Sequence, residues 1–154
     1  MSSIQTTGIA IAGCGYVADY YRQCLALHAG TLTLCGVFDH DPGRLQAYHA
    51  CWNDKTYPSL ESLLDDGEVT ILVNLTEPQS HFDVTRAAIA AGKHVYTEKP
   101  LAMTAGQAVE LRSLAREAGM HLAAAPCNVL GEAAQTMWQG LPSGIIGKPA
   151  LIYA

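Results

Sequence analysis

Charge is scarce in this sequence. Asp, Glu, Lys and Arg make up 15% of its 154 residues, against 49% hydrophobic ones, and the balance is acidic, with a formal charge of −5. So apolar a chain is not intrinsically disordered. So acidic a chain offers no basic surface to nucleic acid or anionic lipid, and neither nucleic acid nor membrane is expected as a partner. Long hydrophobic runs are also missing: none approaches the ~20 apolar residues needed to cross a bilayer. The start, MSSIQTTG, lacks the basic-then-apolar pattern of a secretory signal, so the expected location is cytoplasmic. Cysteine is present without pattern. Cys14, Cys24, Cys35, Cys51 and Cys127 are odd in number and contain no C-x-x-C pair, which fits neither a disulfide framework nor a zinc site. They read as reduced thiols. The six histidines have no metal-ligand spacing either, and no metal is expected.

What is present is alternation. Ile9–Ala12, Leu32–Phe38, Val69–Leu75, His94–Thr97 and Leu122–Ala125 are short apolar runs that read as strands. The third is apolar almost throughout, as befits a strand covered on both faces. Amphipathic stretches lie between them. Val17, Tyr21, Cys24, Leu25 and His28 fall on one helical face, with Gly30 as a stop. Asp41-Pro42 reads as an N-cap followed by proline at the first helical position. Ser59 opens a short helix with Leu60, Leu63 and Leu64. Val84, Ala87, Ala88 and Ala91 form a small-residue stripe ending at Gly92. Thr104-x-x-Gln107 reads as a capping box, and the helix it opens closes at Gly119. A last helix is expected from about Val129 to Gly140. Strand–helix alternation with short connections predicts an α/β fold, a doubly wound parallel sheet in three α/β/α layers of the Rossmann type. The segment 149–154 reads as the first strand of a second domain, so that residues 1–148 form the first, or else as a closing edge strand of the same sheet.

Chemistry concentrates where strands end. Gly13-Cys14-Gly15-Tyr16-Val17-Ala18 fits G-x-G-x-x-G/A between a strand and a helix. Gly13 permits the tight turn, Gly15 leaves no side chain between backbone and pyrophosphate, and Ala18 allows close helix–strand packing. The helix N-terminus offers free N–H groups and the positive end of its dipole to phosphate. Asp39, 26 residues after Gly13, ends the second strand, where an acidic residue accepts the ribose hydroxyls and repels a 2′-phosphate. NAD is therefore expected over NADP, with His40 and Arg44 near enough to soften the preference. Asp39 also reads as a helix cap together with Asp41. Asn74-Leu75-Thr76-Glu77-Pro78 follows the third long strand at the carboxyl end of the sheet, where ligands bind, and Thr76 and its neighbours are placed along the ribose and nicotinamide path. His81 opens the next helix as a cofactor contact or as a capping or packing histidine. Thr97-Glu98-Lys99-Pro100 follows the fourth strand. There an ammonium beside a carboxylate can stabilise charge developing on a substrate oxygen or join a proton relay, with Glu98 orienting Lys99.

In this order, GCGYVA, Asp39, VNLTEPQSH (Val73–His81), AGKHVYTEKPLAMT (Ala91–Thr104) and SGIIGKP (Ser143–Pro149), the sequence resembles the glucose–fructose oxidoreductase / inositol dehydrogenase (Gfo/Idh/MocA) family over almost its whole length. GKHVYTEKP is the most specific part. The resemblance implies a Rossmann domain followed by an α/β substrate domain that often forms an oligomer interface, and NAD(P)-dependent oxidation or reduction of sugars or cyclitols. It implies that Lys99 contacts the reacting oxygen and that Glu98 with Pro100 shapes the nicotinamide pocket. The family's catalytic aspartate and histidine belong to the second domain and have no counterpart here, so these 154 residues alone are expected to be inactive. At Pro126-Cys127-Asn128, where many members carry arginine or aspartate, Asn128 is assigned to the nicotinamide side. The cofactor set so assigned is Gly13, Cys14, Gly15, Tyr16, Val17, Asp39, His40, Thr76, Glu77, Pro78, His81, Glu98, Lys99, Pro100 and Asn128. Lys99 and Glu98 are the catalytic candidates. The expected whole is a homo-oligomeric oxidoreductase acting on a small sugar- or cyclitol-like substrate. Two rivals are an NAD-retaining glycosidase or lyase of the same fold and a non-catalytic dinucleotide-binding protein.

Overall fold

The computed structural model describes residues 6–126, 130–145, 147, 148 and 150. Among these residues five strands form one parallel sheet: β1 (Thr7–Ala12), β2 (Leu32–Phe38), β3 (Ile71–Asn74), β4 (His94–Thr97) and β5 (Leu122–Ala124). Among the described residues six helices accompany them: α1 (Tyr16–Ala26), α2 (Pro42–Trp52), α3 (Leu60–Leu64), α4 (His81–Ala90), α5 (Ala105–Glu117) and α6 (Glu132–Ser143). The sheet order is β2-β1-β3-β4-β5. The chain thus winds outward in both directions from β1, and the order reverses between β1 and β3, the crevice where doubly wound sheets bind ligands.

The alternating pleat divides the core into two. Ile9, Ile11 and Val73 face one side, where Ala18, Tyr21 and Leu25 of α1 and Leu45 and Tyr48 of α2 cover them. Ala10, Ala12, Leu72 and Val95 face the other, beneath Leu63 of α3, Ala88 and Ile89 of α4, and Leu111 and Ala115 of α5. Both faces of β1 are therefore dry, and this accounts for its unbroken apolar run. Lys93 is one of the buried polar residues beside this core. Its side chain is buried, and its ammonium donates to the carbonyls of Asp66 (2.9 Å) and Val69 (2.8 Å), tying the start of β4 to the α3–β3 connection.

Local signals set most boundaries. Asp41 caps α2 through the N–H groups of Gly43 and Arg44. Ser59 and Ser62 form a reciprocal capping box on α3. Thr104 accepts the Gln107 N–H at the start of α5. Several expectations shift. The first helix stops at Ala26, because Leu27 and His28 fold back onto Cys24 and Leu25 in a tighter turn. Its buried face is Ala18, Tyr21 and Leu25, whereas Val17 turns outward at the helix start. The third strand keeps ladder pairing only over Ile71–Asn74. The last helix passes Gly140 and ends at Ser143, where Gly144 takes the left-handed conformation (φ 73°) that closes it. Asn128 and the expected strand at Pro149 and Leu151–Ala154 lie outside the described residues.

Candidate functional site

Four strands deliver their following turns to one edge of the sheet. β1 delivers Gly13–Gly15, β2 delivers Asp39 and His40, β3 delivers Leu75–Pro78, and β4 delivers Glu98–Pro100. The first turn is held by two contacts to the second strand's end. Gly13 N–H donates to the Phe38 carbonyl at 2.8 Å, and Cys14 N–H donates to Asp39 Oδ2 at 2.8 Å. Gly13 has φ +102°, and a Cβ there would lie 2.5 Å from the Leu75 carbonyl. No other residue type fits that backbone and that space. Gly15 differs: nothing stands within 4 Å of its would-be Cβ. It is the N-cap of α1, and no side chain caps the helix. The Cys14 N–H is already engaged, so the open donors of this turn are those at the helix start, Tyr16 and Val17, whose side chains point to solvent.

The Asp39 side chain is only 2% exposed. Besides Cys14, it accepts the Asp41 N–H on Oδ1 at 2.8 Å. Asp41, not Asp39, caps α2. Asp39 instead joins the glycine turn to the end of β2, and each carboxylate oxygen keeps a lone-pair site for a hydroxyl. His40 approaches Asp39 Oδ1 at 3.4 Å and is largely exposed. Arg44 pairs with Asp41 at 3.3 Å. The N–H groups of Arg44 and Gly43 hold the Asp41 carboxyl below its ordinary pKa. Asp39, His40 and Arg44 line a cleft of about 680 Å³ that runs from Gly13 and Gly15 to Thr76 and Glu77, and Glu98, Lys99 and Pro100 are not part of its lining. Cys14 lies below it, buried, with its thiol pushed up to about 12 by burial and then by the charges of Asp39 and Asp19. The thiol approaches the Phe38 carbonyl at 3.8 Å.

Asn74 organises the next turn. It is fully buried at the end of β3. Its amide donates to the His81 carbonyl (3.2 Å) and to Thr85 Oγ1 (3.1 Å), and its oxygen accepts the Thr76 hydroxyl (2.6 Å) and N–H (3.2 Å). Glu77 and Ser80 meet at 3.3 Å, and the Pro78 carbonyl accepts the His81 N–H at 3.4 Å. His81 is 1% exposed. Its imidazole lies between two carbonyls, Nδ1 to Pro100 at 2.6 Å and Nε2 to Thr76 at 2.9 Å. It is therefore a bridge between turns behind the cleft rather than a group presented to it.

Glu98 and Lys99 come together differently from the pattern expected. Glu98 Oε1 accepts the Tyr21 hydroxyl at 2.8 Å, and Oε2 accepts the Lys99 backbone N–H at 3.0 Å. The Lys99 side chain is exposed, and among the described residues it forms no ion pair with Glu98. The carboxylate orients Lys99 through its backbone, and the ammonium stays available. Burial, then the hydroxyl of Tyr96 and the carboxylate of Glu98, raise the Tyr21 pKa well above its usual value, which keeps that hydroxyl a donor. Tyr21 was expected only as part of a helix face and Asn74 only as the start of the turn after the third strand, with no bonding role for either. Their signal was a polar atom inside an apolar face or run, because such an atom needs a buried partner.

The arrangement fits a dinucleotide: an uncapped helix start, open space over Gly15, and a recessed carboxylate at the end of β2. Comparison with known proteins agrees. An inositol 2-dehydrogenase/D-chiro-inositol 3-dehydrogenase of Lactiplantibacillus plantarum is 25% identical over 99% of this chain and 44% of that protein. The WlbA dehydrogenase of Bordetella pertussis, solved with NADH and UDP-GlcNAcA, superposes with a TM-score of 0.84 at 25% identity, over 91% of this chain and 43% of that one. A biliverdin reductase from Synechocystis, solved with biliverdin and NADP+, superposes with a TM-score of 0.75 at 27% identity, over 86% and 42%. This chain thus spans less than half the length of these relatives. The profile of the GFO_IDH_MocA family, described as an oxidoreductase family with an NAD-binding Rossmann fold, matches residues 7–125. The chain belongs to that family and carries its NAD-binding Rossmann fold.

Proposed function

We propose that this chain is the cofactor-binding half of an NAD-dependent oxidoreductase whose substrate is a small polyol or sugar-like molecule. The observation that carries the reading is the convergence of the Gly13–Gly15 turn, Asp39 and Glu98-Lys99-Pro100 on one sheet edge. The N–H groups at the start of α1 hold the pyrophosphate, and the helix dipole favours its charge. Asp39 accepts the adenosine ribose hydroxyls and disfavours a 2′-phosphate there. When bound, NAD supplies the hydride acceptor, or in its reduced form the donor. Lys99, exposed beside that edge, donates a hydrogen bond to the substrate oxygen and stabilises negative charge on it. The proton of the substrate hydroxyl goes to a base in a second domain, which also forms the contacts of a homo-oligomer. The inositol and UDP-sugar dehydrogenases among the relatives support the substrate class.

Titration of the chain with NADH, followed by nicotinamide fluorescence, tests the binding half, and the expected result is saturation. Absence of saturation up to millimolar NADH overturns the reading. In the full-length protein, Lys99→Ala is expected to lower kcat by about a hundredfold or more with little change in cofactor affinity. Turnover near wild type would remove Lys99 from this role. A panel of polyols, cyclitols and nucleotide sugars offered with NAD then tests the substrate class.

A further inference from the structure

Lys99 is flanked by two residues that helices on opposite faces of the sheet hold in place. On its N-terminal side, the Glu98 carboxylate takes the Tyr21 hydroxyl from α1 at 2.8 Å and the Lys99 N–H at 3.0 Å. On its C-terminal side, the Pro100 carbonyl lies 2.6 Å from Nδ1 of His81, the first residue of α4. Between these anchors the Lys99 side chain is exposed and has no hydrogen bond or ion pair among the described residues. The anchors reach further. α1 is the helix whose start follows the glycine turn, and the other nitrogen of His81 lies 2.9 Å from the Thr76 carbonyl in the turn after β3. A carbonyl only accepts, so whichever ring nitrogen carries a proton donates to its neighbour, and both contacts are hydrogen bonds when both nitrogens are protonated. The ring is itself 1% exposed and cannot swing away without opening the core.

We propose that Tyr21 and His81 are paired positioning residues that fix the Glu98-Lys99-Pro100 turn from both sides, anchoring it to α1 and to the Thr76 turn, so that the nicotinamide side of this sheet edge is preformed before cofactor arrives. The inference rests on the cofactor reading above. Neither residue touches the cofactor or the reacting atoms; each acts through Glu98 or Pro100. Preforming the turn removes an ordering cost that binding would otherwise bear.

The test compares NADH with ADP-ribose, which keeps the adenosine and pyrophosphate but lacks the nicotinamide. Affinities of the wild-type chain, Tyr21→Phe and His81→Ala are measured for both ligands, with thermal melts to confirm folding. The expected result for each variant is a loss of about fivefold or more in NADH affinity, with ADP-ribose affinity within about twofold of wild type. A purely structural role would lower both affinities together. Equal losses for the two ligands, or no loss for Tyr21→Phe, overturn the proposal while leaving the cofactor reading intact. Failure of the wild-type chain to bind NADH overturns both. If His81→Ala does not fold, Tyr21→Phe decides alone, because it removes one hydroxyl and no shape.

Discussion

The Asp39 carboxylate accepts the backbone N–H of Cys14 at 2.8 Å, joining the end of β2 to the turn after β1. One side chain thus shapes the pyrophosphate turn and stands where the adenosine ribose is expected. Asp39→Asn is therefore expected to do two things at once. It removes a charge-assisted hydrogen bond, which costs about 1.5–3 kcal/mol when the partner is left buried. It also lifts the repulsion against a 2′-phosphate. NADH affinity should fall by about tenfold or more, and the NADH/NADPH preference should narrow. Fluorescence titrations with both nucleotides check this, and an unchanged preference ratio would show that Asp39 does not face the ribose.

Gly13 and Gly15 separate folding from binding. An alanine methyl at Gly13 meets the Leu75 carbonyl at 2.5 Å on a backbone with φ +102°. Gly13→Ala is expected to cost about 3 kcal/mol or more. At Gly15, φ is −78° and the space is open. Gly15→Ala is expected to leave the melting temperature within a few degrees of wild type and to abolish detectable NADH binding, because the methyl occupies the phosphate's approach. Matched thermal melts and NADH titrations of the two variants decide the point. A Gly15→Ala chain that binds normally would move the phosphate elsewhere.

The fold was legible because its strands carry both of their signals, apolar runs and strand-ending turn residues, in the sequence itself. Leu32–Phe38 and His94–Thr97 were placed to the residue. Helix ends were harder. The stop of α1 at Ala26 is set by i→i−3 contacts that no residue type announces, and Gly140 looked like a terminator until Gly144 supplied the left-handed cap. The placement of Asp39 and Lys99 just beyond the ends of β2 and β4 could be read from local order. Tyr21 meets Glu98 across 77 positions, and His81 meets Pro100 across 19. Such pairings depend on how helices pack over the sheet, and periodicity carries no record of them.

Lys93 offers a stability test away from the cleft. Its buried ammonium satisfies two carbonyls, those of Asp66 and Val69. Lys93→Met keeps the aliphatic stem but leaves both oxygens without that donor. The expected loss is about 2–4 kcal/mol, from the desolvation cost of unsatisfied buried groups. NADH affinity of the folded fraction should remain as in wild type. Denaturant unfolding gives the first quantity and titration the second, and a variant as stable as wild type would mean that water replaces the ammonium.

Acid should act through Asp66. Its carboxylate accepts Lys55 Nζ at 2.9 Å and the Tyr57 hydroxyl at 2.7 Å, and Lys55 is the first cause of a pKa held well below the ordinary carboxylate range. The folded value lies below the unfolded value near ~3.9, so the unfolded chain binds a proton first as pH falls. The stability contributed by Asp66 is complete above the unfolded pKa and is lost progressively beneath it. Asp66→Asn should accordingly be less stable than wild type at pH 7, with the gap closing as pH is lowered below about 4. Denaturant midpoints across that range test the sign, and a gap that widens on acidification contradicts it.

Cys14 sits in the cofactor turn, yet it should be the wrong cysteine for covalent labelling. Burial, reinforced by Asp39 and Asp19, pushes its thiol up to about 12, so at pH 8 only about one molecule in ten thousand carries the reactive thiolate. Cys51, by contrast, is exposed on α2. Iodoacetamide at pH 8 is expected to modify Cys51 early and to leave Cys14 untouched until the chain unfolds, as peptide mapping would read out. Raising the pH toward 10 increases the Cys14 thiolate about a hundredfold but leaves its burial in place, so its labelling should still trail that of Cys51. Labelling of Cys14 at the rate of Cys51 in the folded chain would mean that the turn opens freely, and a turn that opens freely is not the preformed cradle that the proposed phosphate site requires.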